Sequence, residues 1–141
     1  MKVLKLLVGA ACLAAAGIAG AAFPERPVRI IVPYPPGGNI DITARTIAPG
    51  MSEALGVQVV IDNRGGAGGT IGSEIAAKAA PDGYTTLLGS TGTLATSPLL
   101  YAKLGFHPLK DYAYPQEFEK VLRAEITKWS KVVREANVKV E

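Results

Sequence analysis

The stretch that most constrains this chain runs from Val28 to Asp41. Val28-Arg-Ile-Ile-Val32 is a β-branched run of the kind that fills a buried strand. Pro33, Pro35 and Pro36 end it, because proline cannot donate to a sheet ladder. Gly37-Gly38 then lets the backbone turn sharply or come close to a ligand. Beyond it Ile40, Thr43, Ala44 and Ile47 recur at helical spacing, with Asn39 or Asp41 near the start as a cap. Strand, rigid turn and helix N-terminus together aim free amides and the positive end of a helix dipole above the strand, a place that favours an anion. The same pattern also fits an ordinary βα connection.

The pattern recurs twice. The first helix is expected over Asn39–Leu55, kinked or split at Pro49-Gly50 and closed by Gly56. Val57 to Ile61 reads as a second strand, followed by the glycine loop Asp62-Asn-Arg-Gly-Gly-Ala-Gly-Gly-Thr70 and a helix carrying Ile71, Ile75 and Ala79. After the turn Pro81-Asp-Gly83, Tyr84 to Leu88 reads as a third strand, and Gly89-Ser-Thr-Gly-Thr93 leads into another helix. A βαβαβα order predicts an α/β fold with a parallel three-stranded sheet. Its three strand-to-helix loops open at one edge, where open α/β sheets bind ligands.

The two ends differ from this middle. Lys2 and Lys5, the apolar run Leu6–Ile18 and the small residues Ala19-Gly-Ala-Ala22 predict a signal peptide over 1–22, cleaved near Ala21-Ala22. Cys12, the only cysteine, lies inside it, so the mature chain is expected to have no thiol chemistry. Two of the 15 Lys and Arg are also in this segment, which leaves one net positive charge against 12 Asp and Glu. With no basic cluster interleaved with aromatics, no nucleic-acid partner is expected. All 16 glycines lie before residue 106. From Pro115 onward, Phe118, Val121, Leu122, Ile126, Trp129, Val132 and Val133 form the stripe of one amphipathic helix, with Trp129 and Phe118 as core anchors. Tyr114 stands where a capping residue would be expected.

The loops match no catalytic signature. Gly66 and Gly68 begin a dinucleotide motif, but Ile71 occupies the sixth position. No Gly-Lys-Ser/Thr follows a glycine loop, and Ser90 is not in a nucleophile elbow. His107, the sole histidine, sits beside Pro108 and reads as a surface turn residue. Asp41, Asp62 and Asp82 are each accounted for by caps or turns. No catalytic residue, metal site or cofactor is expected. Backbone amides, hydroxyls and Tyr34 form a vocabulary for binding.

Several segments in order carry a family resemblance: Val32-Pro-Tyr-Pro-Pro-Gly-Gly-Asn-Ile-Asp41 with Ala44-Arg45; Leu55-Gly56 and Val59-Val60; Asn63-Arg64 with Gly66-Ala-Gly-Gly69; and Pro81-Asp-Gly-Tyr84. Over Phe23–Ala113 the chain resembles the Bug-type solute receptors, the periplasmic binding components of tripartite tricarboxylate transporters. Gly65 departs from the proline usual there. The stretch from Pro115 through Trp129 to Val133 is similar to the family's C-terminal helix. The resemblance implies a partial type II periplasmic-binding-protein lobe over 23–113, with 114–141 joined directly after an internal deletion of the second lobe. It further implies capture of a small di- or tricarboxylate or acidic amino acid in the periplasm, for delivery to membrane permease subunits. The implied site has Tyr34 packing the ligand, and Gly37, Gly38 and Asp41 orienting water or backbone donors. Ala67 and Gly68 supply second-loop contacts, while Ser90, Thr91 and Thr93 supply hydroxyl donors. A non-binding fragment or pseudogene product is the alternative. A small α/β enzyme is a third, and would need a nucleophile–base pair that the sequence does not display.

Overall fold

A computed structural model describes residues 23–137, so the expected signal segment, its cleavage site and Cys12 lie outside the described residues. Three parallel strands, β1 (Val28–Val32), β2 (Val59–Asn63) and β3 (Thr85–Leu87), form a sheet in the order β2-β1-β3. Val28 pairs with Val59, and Arg29 with Thr85. Helix α1 (Asn39–Leu55) connects β1 to β2, and α2 (Thr70–Ala77) carries the chain back past β1 to β3. The two crossovers run in opposite directions along the sheet, so a common right hand places the helices on opposite faces.

The side chains follow that division. Val28, Ile30 and Val32 alternate onto one face and pack with Ala44, Ala48 and Val59, with Ile40, Met51 and Leu55 at the margin. Ile31, fully buried, points to the other face. The buried stripe of α1 is therefore Ile40, Ala44, Ala48, Met51 and Leu55; Thr43 and Ile47, placed on it by spacing, are exposed. Pro49 does not split the helix, which is continuous over the expected span. It loses one ladder bond on an exposed face, where water can satisfy the freed carbonyl. Gly56, at φ +69, ends the helix by donating to the Ser52 carbonyl.

Beyond β3 the expected helix is instead a five-residue π turn, Gly92–Thr96, followed by the short helix α3 (Ser97–Leu100). The long terminal helix α4 (Gln116–Glu135) lies against this region. Leu94, Ala95, Phe106 and Leu122 are its buried centre, joined by Leu87, Ile126 and Trp129. Tyr112 links the segment to α2 by donating to the Ser73 carbonyl at 2.6 Å. Burial raises the Tyr112 and Tyr114 hydroxyls above their ordinary range, Tyr114 to about 12, so both remain donors. Tyr114 donates to the Pro108 carbonyl. Phe118 is not a core anchor: it is 44% exposed and lies against the Tyr114 ring at 5.2 Å. The start of α4 at Pro115 has no side-chain cap among the described residues.

Candidate ligand-binding site

The three loops after β1, β2 and β3 meet at one edge of the sheet. Their closest meeting point is Gly69: a Cβ there would stand 2.4 Å from Thr93 Cγ2 and 3.2 Å from the Pro33 carbonyl oxygen. With φ at +93 as well, the position requires glycine on two counts. The Tyr34 hydroxyl and Ser90 Oγ lie 2.7 Å apart, which fastens the first loop to the third. Asn63, at the end of β2, donates from Nδ2 to the Tyr34 carbonyl at 3.1 Å and so fastens the first loop to the second strand.

Asp41 is the hub of the first loop. It is buried, and its Oδ2 accepts from the Gly37 amide at 2.8 Å and from Arg45 Nε at 3.0 Å. Its Oδ1 accepts from Asn63 Nδ2 at 2.9 Å, while Arg45 also donates to Asn63 Oδ1. Arg45, then the Gly37 amide and Asn63, hold the carboxyl down at about 2, well below its ordinary range. The Asp41 side chain therefore fixes the loop's shape and does not cap the helix. The N-cap of α1 is Gly38, which has no side chain, so the first-turn amides are left without one.

The second loop shares that property and the third does not. Helix α2 starts after Gly69 without a side-chain cap among the described residues, whereas at the π turn the Ser90 Oγ accepts from the Thr93 amide at 3.3 Å. Ala67, at φ +46, and Gly68 form the exposed crest of the second loop. Three helical starts thus face one region, and that of α1, capped by glycine alone, keeps first-turn amides suited to a negatively charged group. Thr93 contributes differently: its buried hydroxyl accepts from the Ser90 amide at 3.0 Å and donates to the Ser90 carbonyl. Thr91 is exposed at the rim.

Ser90 and Thr91 also line a cavity of about 290 Å³ whose far wall is α4, through Phe118, Val121, Leu122 and Glu125. Among the described residues no three His, Cys, Asp or Glu come together to hold a metal. His107 lies in a surface turn, its Nδ1 accepting from the Leu109 amide. Asp82 accepts from the Tyr84 amide and pairs with Arg26, a turn role; Asp62 instead pairs with Arg64 and Arg29 at the end of β2. Residue-by-residue reasoning missed Arg45 and Asn63 as organisers. The family segments containing them were the available signal.

The sequence matches the tripartite tricarboxylate transporter family receptor over residues 43–137. The chain belongs to this family. A relative from a Pseudomonas species, described as a UPF0065 protein in the tcbD-tcbE intergenic region, is 48% identical over 91 residues, covering 64% of this chain and 27% of the relative. The solved structure of the periplasmic binding protein BugD is 47% identical, with a TM-score of 0.61 over 63% of this chain and 29% of that one. MatC from Rhodopseudomonas palustris, solved with bound malate, is 43% identical, with a TM-score of 0.61 over 63% of this chain and 30% of its own. The described part of this receptor-family chain is a partial lobe of the periplasmic-binding-protein fold. It spans under a third of the length of these relatives.

Proposed function

We propose that this chain captures a small organic carboxylate, a di- or tricarboxylate or an acidic amino acid, for delivery to the membrane permease subunits of a tripartite transporter. The observation that carries the reading is the convergence of the three strand-to-helix loops on one edge, with the start of α1 capped by glycine alone. Amides around Gly38, Ala67 and Gly68 would receive the carboxylate, with Tyr34 against the ligand. Ser90 and Thr91 would add hydroxyls. Gly37, Asp41 and Thr93 would act by holding the loops. The malate bound to MatC supports this ligand class. We further infer export to the periplasm with cleavage near Ala21-Ala22, which BugD's description as a periplasmic binding protein supports. The action is binding without turnover.

We read 23–113 as the N-terminal part of one lobe and 114–141 as the family's terminal helix, joined where a second lobe has been deleted. The family match extends past residue 113 to residue 137, which supports the terminal segment as part of the family. A single lobe leaves one side of the ligand in water, where each hydrogen bond contributes near the low end of about 0.5–1.5 kcal/mol. A few such bonds barely offset the immobilisation cost, so millimolar affinity is expected. One observation favours a second reading, a chain that binds no carboxylate: the Glu125 carboxylate shares a cavity with Ser90 and Thr91.

Calorimetry of the purified chain against malate, citrate and glutamate tests both. Weak, saturable uptake supports the receptor reading. A folded chain that takes up none of them favours the second. Micromolar affinity in a monomer would show the absent wall to be dispensable and sink the deletion argument.

A further inference from the structure

We infer that the cavity between the third loop and α4 is a second binding site, and that it takes a small alkylammonium ion. At about 290 Å³ it holds roughly ten water volumes of ~30 Å³ each, enough for a short aliphatic amine. Its apolar lining comes from Leu94, Phe118, Val121 and Leu122, and its polar groups are the Ser90 and Thr91 hydroxyls and the Glu125 carboxylate. No lysine or arginine lines it. A carboxylate entering it would meet a like charge. An ammonium would meet one carboxylate, the exposed Thr91 hydroxyl oxygen, which can accept, and the Phe118 ring, which favours a cation over its face.

Glu125 is held by neighbours on its own helix. Its Oε2 accepts from Trp129 Nε1 at 2.9 Å, and Lys128 Nζ lies 3.2 Å from Oε1. These contacts, Trp129 first, lower its pKa, so it is ionised at neutral pH. The Lys128 ammonium also stands 5.4 Å over the Trp129 ring, mostly in solvent. It competes with a bound cation for Glu125 without blocking the cavity. This site shares the third-loop hydroxyls with the carboxylate reading but rests on Glu125 and Phe118, which that reading does not use.

Trp129 is the only tryptophan and touches Glu125 directly, so its fluorescence reports on the cavity. The probes are n-butylammonium, with butyrate as the isosteric anion and n-butanol as the neutral control. Butylammonium should shift Trp129 emission saturably in the millimolar range, while butyrate and butanol should not. Glu125→Gln should weaken the amine about tenfold, the worth of one charge-assisted hydrogen bond. Lys128→Gln, at an exposed position, should strengthen it by removing the competing cation. Equal response to butyrate or butanol, no saturable response to butylammonium, or a weaker amine in Lys128→Gln would overturn the site. Should Glu125→Gln not fold, the opposite-sign effect in Lys128→Gln decides the matter alone. Malate binding in the presence of saturating butylammonium reports separately on the carboxylate reading.

Discussion

Asn63 and Asp41, 22 residues apart, are joined by a hydrogen bond of 2.9 Å that locks the end of β2 to the first turn of α1. The same Asn63 nitrogen holds the Tyr34 carbonyl, so one side chain sets the geometry of the first loop from the second strand. Asn63→Ala should therefore loosen Gly37-Gly38 as well as destabilise the chain. The expected loss is about 1–3 kcal/mol, since buried acceptors are left unpaired. Urea denaturation measures the loss, and amide exchange at Gly37 and Gly38 should rise with it. A stability loss with unchanged exchange there would separate Asn63 from the loop.

Acid should act through Asp41. Its folded pKa, about 2, lies below the ordinary 3.8, so between these values the unfolded chain binds more protons. The stabilisation is fully present above pH 3.8 and is lost as pH falls through about 2. Glu125, also lowered, contributes in the same direction. Thermal unfolding followed from neutral pH downward should show Tm falling through this window. In Asp41→Asn the fall should be shallower, and an identical slope would remove Asp41 from the account.

Helix α4 offers a contrast within one stripe. Leu122 is buried and Phe118 is 44% exposed. Leu122→Ala should cost about 2–5 kcal/mol by opening a cavity. Phe118→Ser should change stability far less, within roughly 0.5–1 kcal/mol, through its contact with Tyr114. Chemical denaturation of the two variants checks this, and equal losses would mean that α4 is rotated from the face described.

Neighbouring glycines in the first loop should separate folding from binding. At Gly38, φ is −77 and the nearest atom to an added Cβ is the Pro35 carbonyl oxygen at 3.8 Å, so Gly38→Val should leave Tm nearly unchanged. It should nevertheless weaken carboxylate uptake, because its side chain stands at the open helix start. Gly37, at φ +87, should not accept valine without a loss of about 1–2 kcal/mol. The same pair placed in the malate-binding relative gives a stronger signal for calorimetry. Unchanged affinity for Gly38→Val would take that turn out of the site.

The sequence was most legible where backbone chemistry decides the outcome. Helix α1 is bounded by Gly38 and Gly56, and both bounds follow from glycine and proline alone. Strand β2 begins two residues later than its apolar run suggests, because Val57 is spent leaving Gly56 and the first ladder bond runs from the Val28 amide to the Gln58 carbonyl. The π turn after Ser90 was not legible. Nothing in Gly92-Thr-Leu-Ala-Thr96 opposes an ordinary helix, and the local form follows from how Ser90 and Thr93 bond to each other. Asp41 was expected among the helix caps. Its actual partners, Arg45 one turn along and Asn63 on another strand, become neighbours only after the sheet has formed. The exposure of Phe118 was equally hidden, since periodicity marks a stripe but not which half of it is covered.

The strand order has a consequence for how freely the chain can drift. Within the described sheet, β1 alone is paired on both sides, so a five-residue template dictates the register of β2 and β3 alike. Loops may lengthen, and outer strands may fray, while that template keeps its count. A one-residue insertion or loss inside Val28–Val32 would turn Ile30 toward α2 and Ile31 toward α1, and would slide all three loops out of alignment in a single step. Mutational tolerance should thus be lowest in length, not in side-chain identity, along these five residues: Ile-to-Val exchanges are absorbed, and indels are not.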